Sequence, residues 1–225
     1  MLTQLETNLV RVRTRLEDAC ARAGRDPETV RLLPVTKYVN QEIIHGLLEL
    51  GFTEFAENRA QLLRQRAEEF PATPPDWVMI GHLQRNKAGQ VARIVNEVQS
   101  VDSVRLAEAL SRQAGLLDKT LNIYVQVNTS AETAKSGFSP EELGQAIQEI
   151  SNLPGLDLRG LMTMAALGST PEEARTSFRR LRELRDTFAP GLPGLSMGMS
   201  GDFEAAIEEG ATVVRVGSSL YEGLL

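Results

Sequence analysis

The sequence predicts an α/β fold: a single (β/α)8 TIM barrel spanning residues 1–225, with an extra N-terminal helix over 1–23. Three observations predict it. Short β-branched runs alternate with amphipathic helical runs along the whole chain, the pattern of parallel strands joined by crossover helices. Eight such strands fit into 225 residues, a density that favours a closed barrel over an open doubly wound sheet. Polar, helix-unfriendly clusters fall just past the strand ends, where barrels of this kind place their sites.

The elements follow in order. Leu5, Leu9, Val12, Leu16 and Ala19 recur at helical spacing, so residues 2–23 read as one amphipathic helix. Val30–Thr36 is the first strand. Ile43, Ile44, Leu47 and Leu48 mark the helix after it, which Gly51 stops. The second strand is Glu54–Ala56, followed by a helix from Arg59 to Glu69. The third is Asp76–Ile80, with a helix starting near Arg85. The fourth is Glu97–Val101, and Asp102 or Ser103 caps the next helix. The fifth, Leu121–Val127, precedes Ser139-Pro140-Glu141-Glu142, which opens a helix with proline in its first turn. Asp157–Met162 is the sixth, and Thr170-Pro171-Glu172-Glu173 opens its helix in the same way. Leu195–Gly198 is the seventh, with a helix over Phe203–Glu209, and Thr212–Val216 is the eighth.

Composition removes several function classes. No apolar run is long enough to span a membrane, and the N-terminus lacks the apolar core of a signal peptide, so a cytoplasmic protein is expected. A net charge of −6, with Lys and Arg spread along the chain, argues against nucleic-acid binding. The single cysteine, Cys20, excludes an internal disulfide. It lies on the first helix beside Ala19 and Ala21 with no histidine to activate it, and reads as packing. Two histidines and one cysteine do not make a zinc cluster.

Candidate site residues gather past the strand ends. Leu33, Val35 and Lys37 alternate onto one strand face, which places Lys37 at the top of an inward row. Partial desolvation there makes an amine a nucleophile toward aldehydes. In the last strand Val214 and Val216 suit the helix-facing side, so Arg215 points into the barrel and needs an acceptor there. A phosphate, the Glu57 carboxylate and a cofactor ring nitrogen are the candidates. Ser200-Gly201 and Gly217-Ser218-Ser219 follow the seventh and eighth strands, the loops that often form the phosphate site of such barrels. His82 reads as structural, since its own loop supplies no partner acid. Met162, Met164, Met197 and Met199 read as barrel packing and the charge-rich segment Glu172–Arg185 as a solvated outer face.

Several blocks together resemble a known family. They are Val35-Thr36-Lys37, Glu57-Asn58-Arg59, Ile80-Gly81-His82-Leu83-Gln84-Arg85-Asn86-Lys87, Val101-Asp102-Ser103 and Gln126-Val127-Asn128. They continue with Lys135-Ser136-Gly137, Gly160-Leu161-Met162-Thr163-Met164, Leu195-Ser196-Met197-Gly198-Met199-Ser200-Gly201-Asp202-Phe203 and Val214-Arg215-Val216-Gly217. The chain resembles, nearly end to end, the pyridoxal phosphate homeostasis proteins, which look like the N-terminal barrel of alanine racemase standing alone. The resemblance implies that Lys37 forms an aldimine with pyridoxal 5′-phosphate (PLP) and that Asn58 lines the pocket. It implies that Ser200, Gly217 and Ser218 or Ser219 hold the phosphate, with Arg215 at the ring nitrogen or the phosphate edge. The expected cofactor-binding set is Lys37, Asn58, Met199, Ser200, Arg215, Gly217, Ser218 and Ser219, with no catalytic residue and no metal.

An arginine at the ring nitrogen disfavours its protonation and weakens the ring as an electron sink, which suits holding PLP better than carbanion chemistry. A PLP-dependent amino-acid racemase or decarboxylase is the alternative. A two-base racemase needs a base on each face of the cofactor, and Tyr38, Tyr124 and Tyr221 form no recognisable second-base motif. The expected role is therefore PLP storage, buffering or delivery by a monomer, with free amino acids or PLP-dependent apo-enzymes as exchange partners.

Overall fold

The computed structural model describes residues 1–71, 74–130, 136–166 and 168–225. Lys135, part of one quoted block, lies outside the described residues. The strands are β1 (Arg31–Pro34), β2 (Glu54–Glu57), β3 (Asp76–Met79), β4 (Val95–Val101), β5 (Leu121–Gln126), β6 (Leu156–Met162), β7 (Gly194–Ser196) and β8 (Val213–Val216). All eight are parallel neighbours in one sheet of order β1-β8-β7-β6-β5-β4-β3-β2. The ring closes where Val35, just past β1, bridges Ala56 of β2. The Thr36 N–H donates to the Ala56 carbonyl at 3.0 Å there.

The helices between strands are α2 (Gln41–Glu49), α3 (Ala60–Glu69), α4 (Ala88–Ala92), α5 (Val104–Leu116), α6 (Pro140–Ser151), α7 (Pro171–Phe188) and α8 (Phe203–Glu208). The start signals act as expected. Ser139 and Thr170 each close a capping box with a glutamate three residues on, behind a first-turn proline. Ser103, not Asp102, caps α5, its hydroxyl accepting from the Leu106 N–H.

The first helix, α1 (Leu2–Arg22), packs against α8 and α2, the helices that follow β7 and β1. Among the described residues no helix follows β8, so α1 fills the place of an eighth outer helix. Its buried stripe Leu5, Leu9, Val12, Leu16, Ala19 and Cys20 is the predicted one. Asn8, also buried, donates to the carbonyls of Leu220 and Glu222 at 3.0 and 2.9 Å, which ties α1 to the segment after β8.

Two apolar layers result from strand alternation. The larger lies between strands and helices and holds Val214, Val216, Leu161 and Val125. The smaller fills the barrel with Leu33, Val35, Ala56, Val78, Tyr124, Met162 and Val213. Val213 and Arg215 therefore face inward and Val214 and Val216 outward, as the alternation predicts. Gly160 and Gly194 let β6 and β7 approach closely, for a Cβ on Gly160 would stand 2.1 Å from the Gly194 carbonyl oxygen. The segment Glu172–Arg185 is less free than its charge pattern suggests. Arg175, Arg179 and Arg182 of α7 all reach Glu209, which is 5% exposed at the end of α8.

Candidate functional site

A cavity of about 530 Å³ opens at the C-terminal ends of the strands. Seven of the eight expected cofactor-binding residues line it: Lys37, Asn58, Met199, Ser200, Arg215, Gly217 and Ser218. Ser219 stands just behind, its N–H donating to the Ser200 hydroxyl at 3.3 Å.

Lys37 is placed differently from the expectation. The strand ends at Pro34, and the chain turns so that the Val39 N–H donates to the Thr36 carbonyl. Lys37 therefore sits on a turn at the cavity wall and is exposed, not partly desolvated, with its Nζ 4.8 Å from the centre of the Tyr38 ring. That turn is clamped from beneath by Arg66 of α3, which donates to the carbonyls of Thr36 and Val39. Glu57, fully buried, accepts from the Thr36 hydroxyl and pairs with Arg66 at 3.6 Å. Burial pushes the Glu57 carboxyl up, against the lowering pull of the Thr36 hydroxyl and Arg66. Glu57 thus serves the Lys37 turn and does not meet Arg215, so that candidate partner is removed.

Arg215 is 3% exposed and reaches into the cavity wall. It donates to the Ser196 hydroxyl and, at 2.9 Å, to the Thr163 carbonyl. No carboxylate lies within ion-pair distance of it among the described residues, and burial lowers its pKa to about 10, partly offset by the Asp202 charge. Behind it runs a one-way donor chain that the sequence did not reveal. Ser196 donates to Gln99 Oε1 at 2.7 Å, Gln99 donates to Glu97 Oε1 at 2.6 Å, and Arg31 grips Glu97. Each link polarises the next. The chain fixes Arg215 without neutralising it locally, and such a cation favours an anion or a lone pair in the cavity.

The loops after β7 and β8 meet as expected for an anion cradle. The Ser200 hydroxyl accepts from the Gly217 N–H at 3.1 Å and from the Ser219 N–H at 3.3 Å. It stands where an anionic oxygen would be held by the same two amides. Asn58 Oδ1 is buried at the cavity wall without a hydrogen-bond partner, an acceptor aimed at a donor. Gly81 permits this: a Cβ there would stand 2.0 Å from the Asn58 carbonyl oxygen. A buried guanidinium, an orphaned acceptor, paired amides with a serine, and a lysine on one wall fit a phosphorylated aldehyde.

Met162 and Met197 are buried packing, as expected, but Met164 and Met199 are about 40% exposed on the cavity. They lie in the loops that follow β6 and β7, past the ends of the strands. His82 also lines the cavity, and it has an acid: its Nδ1 is 2.8 Å from Asp102 Oδ2. The partner comes from the end of β4 rather than from the histidine's own loop. Tyr38, Tyr221 and Ile80 complete much of the wall and were not anticipated.

Comparison with known proteins identifies the family and the fold. The profile described as "Alanine racemase, N-terminal domain" matches residues 2–224. The pyridoxal phosphate homeostasis protein of Pseudomonas aeruginosa is 40% identical over 222 residues, 98% of this chain and 96% of that one. The structure of PipY from Synechococcus elongatus, with PLP bound, superposes with a TM-score of 0.79 at 33% identity, covering 92% of this chain and 99% of PipY. An alanine racemase from Clostridium difficile shares the fold with a TM-score of 0.76 at 18% identity. This chain covers 97% of its own length but only 56% of that enzyme.

Proposed function

The chain belongs to the pyridoxal phosphate homeostasis protein family, and on that premise we propose that it binds PLP reversibly and keeps it available in the cytoplasm as a monomeric carrier. The observation that carries the reading is Arg215, a buried cation without a carboxylate partner among the described residues, on the wall that also bears Lys37. Lys37 would hold PLP through its amine, and PLP would supply the electrophilic carbon that an entering amine can attack. Ser200 and the Gly217 and Ser219 amides would hold the phosphate, with Ser218 at its edge. Asn58 Oδ1 would accept a hydrogen bond from the ring hydroxyl, Met199 would pack on the cofactor, and Arg215 would hold the ring nitrogen.

A carrier, and not a racemase or decarboxylase, is favoured by Arg215. A guanidinium at the ring nitrogen would donate without protonating it and would leave PLP a weak electron sink. Lys37 is exposed at an open mouth, which suits exchange with free amino acids or PLP-dependent apo-enzymes. The test is to load the purified full chain with PLP, add excess alanine, and follow cofactor release, racemisation and decarboxylation together. Release without sustained turnover is expected. Multiple turnovers of racemisation or decarboxylation per chain would overturn the carrier reading.

A further inference from the structure

We propose that the His82–Asp102 pair is the proton carrier for amine exchange at Lys37, an inference that rests on the PLP reading above. Four observations support it. His82, past the end of β3, and Lys37, past the end of β1, line the same cavity, with β2 between their strands. His82 Nδ1 is bonded to Asp102 Oδ2 at 2.8 Å, which fixes the Nδ1–H tautomer and leaves Nε2 as an acceptor. The Asp102 side chain is 11% exposed while that of His82 is 60% exposed, so the acid is held and the imidazole is open to an entering molecule. Finally, Asp102 is not spent on helix α5, because Ser103 supplies the cap.

Amine exchange needs such a group. An amino acid arrives as an ammonium ion, whose nitrogen has no lone pair for attack. Among the described residues the other basic side chains on the cavity wall are Lys37, which the exchange itself uses, and Arg215, a guanidinium held by Ser196 and Thr163, whereas an imidazole with a free Nε2 lone pair accepts a proton. His82 Nε2 takes one proton from the entering ammonium, and the Asp102 carboxylate stabilises the imidazolium. The freed amine would form its bond to the carbon held by Lys37 and pass its two remaining protons to Lys37 Nζ as the bond from that carbon to Nζ breaks. His82 returns its proton as Lys37 leaves, so the step ends with Lys37 an ammonium and His82 neutral. One C–N linkage replaces another, and no electron is gained or lost.

The experiment uses the full chain loaded with PLP, mixed rapidly with alanine, while the absorbance of the lysine-bound cofactor is followed. Only protein that shows the band is compared, so retention of the fold and of the cofactor is established first. His82→Ala should slow exchange by roughly a hundredfold, and Asp102→Asn should slow it by a smaller factor. Imidazole in solution should restore much of the rate to His82→Ala, because the site is open. A purely structural histidine would show no such rescue. A loaded His82→Ala protein exchanging at the wild-type rate would overturn the inference alone. A wild-type protein that never shows the band would overturn the cofactor reading, and this inference with it.

Discussion

Single atoms decide much of this site. Gly81 is fixed by the approach of Asn58, since an added Cβ would meet its carbonyl oxygen at 2.0 Å. Gly81→Ala should cost about 3 kcal/mol and weaken PLP binding, as read by thermal unfolding and titration. Gly201→Ala, where nothing lies within 4 Å, should leave stability within about 0.5 kcal/mol. Ser196→Ala leaves Arg215 without one acceptor and Gln99 without its donor. It should destabilise by about 2 kcal/mol and lower PLP affinity about tenfold. The site was partly legible in sequence because Lys37, Ser200 and Arg215 are anomalies of residue type at strand ends. Gln99 was not legible, for its partner Ser196 is 97 positions away and only barrel closure brings the two together.

At the scale of elements, α3 holds the turn after β1 through Arg66. Removing that guanidinium leaves the fully buried Glu57 uncompensated. Arg66→Met should therefore cost about 3–5 kcal/mol near neutral pH. Its pH dependence has a defined sign. Burial raises the folded-state pKa of Glu57 above the ordinary carboxyl value of 4.5, and more so without Arg66. Stability from the protonated form is thus complete below that value and is lost as pH rises through the raised one. Chemical denaturation of Arg66→Met at pH 5 and pH 8 should find it weaker at pH 8. Helix starts at Ser139 and Thr170 were readable because caps act locally. The ends of β1 and β7 were not, because pairing with neighbours, absent from local sequence, decides where a ladder stops. His82 lost its acid to the same limit, since β3 and β4 bring the pair together.

At the scale of the molecule, the barrel has its outer ring completed by a helix from the opposite end of the chain. The amphipathic stripe of α1 was plain in the sequence, but its place was not, because the missing helix after β8 is evident only when the ring is built. Asn8→Ala should cost about 2 kcal/mol, as the buried Leu220 carbonyl and the partly buried Glu222 carbonyl lose their donor. That segment carries Tyr221, which lines the cavity, so urea unfolding and PLP titration should shift together.

The most direct test of the central claim is the near-visible absorbance of the purified full chain with PLP, before and after borohydride, beside Lys37→Ala. A lysine-imine band that reduction locks onto the peptide containing Lys37, and that Lys37→Ala lacks, is the expected result. No band after adding PLP, or reduction that labels a different lysine, would contradict the account.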